Sequence, residues 1–155
     1  MERIADEPER IYMKTIILSL CSSSLLVLSA CTPDKPPSRV YEEYNSKVIQ
    51  GITFADEKAY FTKRKQDEVE SKMPQYMESM NKTRVEVIKV YLEFSRELAK
   101  CKEITLVAEE LSGNHATLAY SQKDICENES TSQEKQTIQM INDNGWKIDD
   151  VVVSI

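Results

Sequence analysis

Ile104-Thr105-Leu106-Val107-Ala108-Glu109-Glu110-Leu111-Ser112-Gly113-Asn114-His115-Ala116-Thr117-Leu118-Ala119-Tyr120 is the stretch that decides the fold. Two β-rich runs flank Gly113-Asn114, which reads as a two-residue hairpin loop because glycine and asparagine tolerate the left-handed backbone such a loop needs. Such a loop pairs Ser112 with His115. Continued as an unbroken ladder, the pairing brings Cys101 opposite Cys126, at the separation a disulfide requires. That bridge should contribute about 3 kcal/mol on the chain-entropy model. In this register Val107, Leu111, Ala116, Leu118 and Tyr120 share one face with Glu109, while Ile104, Leu106 and Ala108 share the other. The alternation is broken, and a slip of one residue would exchange the faces. If the second face is as apolar as this register makes it, it needs a cover, and a homodimer through the sheet face would supply one.

The flanking sequence completes an α+β plan. After the hairpin, Gln136–Ile141 alternates as a third strand, Asn142-Asp143-Asn144-Gly145 turns the chain, and Trp146–Ile155 forms a fourth. Before it the period is helical. Val40, Tyr44 and Val48 mark a helix over Arg39–Gln50 that Gly51 ends. Ala59, Tyr60, Val69 and Met73 mark a second over Asp56–Met73, which Pro74 should break or kink. A third begins at the capping box Thr83-Arg84-Val85-Glu86 and runs to Lys100. Its apolar line, Val85, Ile88, Leu92 and Ser95, is widened by Val87, Tyr91, Phe94 and Leu98. Helices first and an antiparallel meander after them make an α+β domain over residues 39–155, with the helices packed on a curved four-stranded sheet.

The N-terminus reads as an address. Met13-Lys14 precedes the apolar run Thr15–Leu28, and small residues Ser29-Ala30 follow it. The run is too short and interrupted to span a bilayer but matches the three-part plan of a signal peptide over residues 1–30. The acidic stretch Glu2, Asp6, Glu7 and Glu9 is foreign to such a leader, so translation is expected to start at Met13. Leu28-Ser29-Ala30-Cys31 resembles the lipobox of bacterial lipoproteins. The resemblance implies lipid on the Cys31 thiol and cleavage before it, the thiolate being the nucleophile that lipid transfer needs. Two or three acyl chains give a stable anchor. Residues 31–38 then form a tether, stiffened by Pro33, Pro36 and Pro37. Aspartate after the lipidated cysteine commonly marks inner-membrane retention; Thr32 stands there, which implies the periplasmic side of an outer membrane, or the outer face of the cell membrane in a Gram-positive cell. With Cys21 removed and Cys31 lipidated, Cys101 and Cys126 remain to pair in an oxidising compartment.

The domain itself resembles the cystatin-like cone shared by nuclear-transport-factor-two-like and ketosteroid-isomerase-like proteins. Gly113-Asn114-His115-Ala116-Thr117-Leu118 is similar to their hairpin, and Asn144-Gly145-Trp146-Lys147-Ile148-Asp149 to their last strand. No aspartate–tyrosine set aligns with a steroid isomerase site, so the resemblance implies a shape rather than a chemistry.

Charged residues make up 30% of the chain and the net charge is −6. Loss of residues 1–30 leaves −5. A nucleic-acid partner, which would need a basic face, is excluded. Single candidates are weak. His115 is the only histidine, beside the turn and without an evident partner. Glu109-Glu110 and Asp149-Asp150 are neighbours in strands and should point to opposite faces, and Asp143 lies in a turn. Lys63-Arg64-Lys65 is followed by Asp67, Glu68 and Glu70, a mixed-charge helix face. Asn81-Lys82-Thr83 and Asn128-Glu129-Ser130 are glycosylation sequons of little meaning in bacteria. Trp146 reads as a core anchor. No catalytic, cofactor or metal site is expected. The sequence points to a non-catalytic envelope lipoprotein whose domain binds an envelope protein or a small apolar ligand. The alternative is an enzyme of ketosteroid-isomerase-like type in the cone pocket, which a buried carboxylate or tyrosine cluster beside an apolar pocket would favour and a filled cone would remove.

Overall fold

Glycine and threonine punctuate the chain into its elements. A computed structural model describes residues 35–126 and 134–154, all within one unit, Pro33–Ile155. The leader, Leu28-Ser29-Ala30-Cys31, the start of the tether, the sequon at Asn128 and Ile155 lie outside the described residues. Helix α1 (Pro37–Gln50) starts two residues before the expected Arg39, since Pro37 is suited to a first helical position. It ends at Gly51, whose φ of 95° a side chain would strain. Thr53 caps the short α2 (Phe54–Lys58), Thr62 caps α3 (Lys63–Met80), and Thr83 caps α4 (Arg84–Lys100) with both hydrogen bonds of the expected capping box.

The second predicted helix is therefore corrected twice. It is divided at Ala59–Thr62, and its main part passes through Pro74 to Met80. The division comes from pairing: Ile148 donates its N–H to the Tyr60 carbonyl at 2.7 Å, and Thr62 donates to the Ile148 carbonyl at 3.0 Å. The continuation past proline comes from apolar spacing. Val69, Met73, Tyr76 and Met80 recur every three or four residues straight through Pro74 and line one groove. The helix continues despite the roughly 3 kcal/mol that an interior proline costs, with Met73 of that stripe buried.

Strands β1 (Lys102–Ser112), β2 (His115–Asp124), β3 (Glu134–Asn142) and β4 (Trp146–Ser154) form an antiparallel meander in sequence order. The architecture is the expected α+β, helices preceding a curved, unclosed sheet. Ser112 pairs with His115, and the ladder holds as far as Ala108↔Ala119. There a bulge intervenes and Leu106 pairs with Tyr120. Val107 is the extra residue and is 68% exposed. Paired residues share a face, so Leu106 and Ile104 lie on the same side as Tyr120 and Gln122. This corrects the face assignment: Ile104 packs against the core cluster, and the opposite side carries Thr105, Ala108, Glu110, Thr117 and Gln139. Of the three apolar residues expected on that face, Ala108 remains there and Ile104 and Leu106 do not.

The bulge also corrects the route to the disulfide. Cys101 faces Ile125, which donates its N–H to the Cys101 carbonyl at 2.8 Å, rather than Cys126. Cys126 is one residue on, its Cα 5.1 Å from that of Cys101, and the bond forms. The core lies between α1 and the sheet. Leu118, Ile138 and Ile148 are fully buried, with Tyr41, Tyr120, Ala116 and Met140 around them.

Candidate functional site

Spacing on two helices builds the groove. Val69, Met73, Tyr76 and Met80 of α3 face Val87, Tyr91 and Phe94 of α4 across a cavity of about 290 Å³, with Phe54 at its end. Only Met73 and Val87 are buried; Phe94 is 64% exposed and Val85, Leu98 and Tyr91 are also exposed. The broad apolar face expected on α4 is real, but most of it has no cover among the described residues. An exposed apolar patch on this scale marks a binding surface more often than chance.

Beside the groove is a second cavity of about 80 Å³, lined by Phe54, Glu57, Lys58, Phe61, Lys65, Gln66, Val69 and Tyr91. Phe54, Val69 and Tyr91 wall both spaces. Glu57 is 2% exposed. Glu57 stands on α2, and two further helices position its partners. The Tyr44 hydroxyl from α1 donates to Glu57 Oε1 at 3.0 Å, and the Tyr91 hydroxyl from α4 donates to the same oxygen at 2.8 Å. Tyr44 is in turn held by ring contacts with Tyr60 at 5.4 Å and Phe61 at 5.5 Å. Burial pushes the Glu57 carboxyl above its ordinary range, against the hydrogen bonds from Tyr91 and Tyr44. Burial and then the nearby Glu57 charge push both phenols well up, so they stay protonated donors. This cluster was missed from sequence because its members are 13 and 34 residues from Glu57 and share no local pattern.

The cations nearby are engaged elsewhere. Lys58 Nζ lies 2.6 Å from Glu70 Oε1, and Arg84 holds both oxygens of the same carboxylate, at 2.8 and 2.9 Å. Arg84 first, then Lys58, hold the Glu70 carboxyl down at about 2. Lys65 reaches Asp150 at 3.1 Å and Glu68 at 3.4 Å. Gln66 donates its amide nitrogen to the carbonyls of Lys58 and Phe61 at 2.9 and 3.0 Å.

The remaining sequence candidates are scattered. His115 is exposed at the hairpin tip, opposite Ile141. Lys63-Arg64-Lys65 does make the expected mixed-charge face, with Asp67 and Glu68 as partners. It also crosses to the sheet. Asp149 is the extra residue of a second bulge, between Asp150 opposite Gln139 and Ile148 opposite Met140. It accepts from Thr62 at 2.6 Å and from Arg64 Nε and Nη2, each at 2.9 Å. Asp149 and Asp150 thus serve one helix, not opposite faces, and Arg64 chiefly holds the Asp149 carboxyl below its ordinary value. Trp146 packs half-buried on the core cluster and borders an open depression with Glu43, Lys47 and Asp56. Among the described residues no group of three or more His, Cys, Asp or Glu could hold a metal ion, and no helix is long and apolar enough to cross a membrane. Compared with protein families, curated proteins and solved structures, the chain matches none.

Proposed function

We propose that the protein is an envelope lipoprotein, anchored through Cys31, whose domain is a non-catalytic binding module taking an apolar ligand between α3 and α4. The observation that carries this reading is the groove itself, about 290 Å³ and walled by Val69, Met73, Val87 and Phe94. Size and lining both suit a small apolar ligand. The Cys101–Cys126 bond supports an oxidising compartment, and so supports export. Against an enzyme in the cone, the space under the sheet is filled by Tyr41, Leu118, Tyr120 and Met140. The buried carboxylate favours catalysis only in part, because Glu57, on α2, meets tyrosines of α1 and α4 rather than facing that space.

Two experiments test the two halves. A fluorescent apolar dye should bind the purified domain and be displaced by decanol, and Phe94→Asp with Met80→Lys should abolish binding while leaving the circular dichroism spectrum intact. Undiminished dye binding by that variant would sink the groove. In cells, a labelled palmitate analogue should be incorporated by the native chain and not by Cys31→Ser.

A further inference from the structure

We propose that the groove's ligand carries a cationic, hydrogen-bond-donating head, a primary alkylammonium, which Glu57 receives in the small cavity beside the groove. The inference rests on the groove reading above and deepens it. Glutamate is almost never buried unless paired, yet Glu57, at 2% exposure, has no cationic partner among the described residues. Both of its hydrogen bonds come from neutral phenols, and both fall on Oε1. Oε2 accepts none among the described residues, and Glu57 lines the 80 Å³ cavity.

The cations around that cavity are already matched by carboxylates that do not line it. The Lys58 ammonium is engaged by Glu70, and that of Lys65 by Glu68 and Asp150. The Gln66 nitrogen already serves two carbonyls, so its oxygen is what it can offer a ligand. A carboxylate or phosphate head would meet the like charge of Glu57. The cavity suits an ammonium, which brings three donors and the missing charge. Phe54, Phe61 and Tyr91 complete the walls with aromatic rings, which favour a cation over a neutral head. Phe54, Val69 and Tyr91 border both this space and the groove, so a ligand with its tail among Met73, Val87 and Phe94 would place its head past these three side chains.

The test compares decylammonium, decanol and decanoate, each below its micelle concentration, by calorimetric titration of the disulfide-bonded domain. Decylammonium should bind at least about tenfold more tightly than decanol, a difference of about 1.4 kcal/mol, and decanoate should bind weakest. Glu57→Gln should remove the advantage of the amine over decanol, and an unchanged circular dichroism spectrum reports that the variant still folds. Glu78→Gln, which removes an exposed carboxylate of α3, should leave the advantage in place and so exclude general attraction to an acidic surface. Equal binding of amine and alcohol, a preference for decanoate, or an amine preference surviving Glu57→Gln overturns the head-group assignment alone. Binding of none of the three overturns it together with the groove.

Discussion

The two sides of this domain are built from similar residues and finished differently. Between α1 and the sheet, Leu118, Ile138 and Ile148 are sealed to 0% exposure, and all four strands contribute, β1 through Ile104. Between α3 and α4 apolar residues line a groove, but Phe94 and Val85 are left in solvent, and beside the groove the Glu57 carboxyl is buried without a cationic partner among the described residues. Hydrophobic burial is the main favourable term in folding, so the first side carries the stability. The second forgoes burial, and surface left open in this way is available to something else.

That contrast can be broken most easily by truncation. Leu118→Ala should cost 2–5 kcal/mol, on the order of other buried leucines, whereas Phe94→Ala should fall within about 0.5 kcal/mol. Urea midpoints decide it; equal losses would mean that the groove is core. Next, Cys101→Ala with Cys126→Ala should cost about 3 kcal/mol and weaken ligand binding less than it lowers stability, because Cys101 caps α4 beyond its groove residues Val87, Tyr91 and Phe94. Thr83→Ala, which removes the cap of α4, should cost about 1 kcal/mol and weaken ligand binding along with it, since α4 is one wall.

The smallest effects are in the pH dependence, where the carboxylates Glu57 and Glu70 have opposite signs. The Glu70 carboxyl is depressed from 4.5 to about 2, so its contribution is present above 4.5 and is lost as pH falls toward 2. Its half-open setting keeps that contribution small. The Glu57 carboxyl is raised, so its contribution is complete below 4.5 and is lost as pH rises through its shifted value. Tyr44, Tyr91, Lys58 and Lys65 face it from the four helices, and their own pairings are kept across this range. Glu70→Gln should therefore flatten the acid limb of a stability profile, and Glu57→Gln the limb toward neutrality. A profile in which both variants flatten the same limb would contradict the assignment of Glu57 as the unpaired charge.

Sequence reasoning reached what is written locally. The loop at Gly113-Asn114, the box at Thr83–Glu86 and the stop at Gly51 each depend on a few adjacent residues, and each is present. The cysteine pair followed from a ladder that the structure interrupts, and the bond survives because the slip is a single residue. What was not legible is set by distant contacts. Arg64 and Asp149 are 85 residues apart, and no local pattern relates Tyr44, Glu57 and Tyr91. The passage of α3 through Pro74 was legible in the spacing of Val69, Met73, Tyr76 and Met80, but the proline was given more weight than that stripe.

The bulge at Val107 has a consequence for how the hairpin tolerates changes of length. β1 carries 11 residues against the 10 of β2, so it has one to spare. Loss of any single residue from Val107 to Glu110 can be absorbed by straightening the ladder, with Leu106 still opposite Tyr120 and Ile104 still inward. The same loss in β2 has no such slack and would turn half of a strand inside out. An in-frame codon deletion is therefore a mild event on one side of the Gly113-Asn114 loop and a ruinous one on the other.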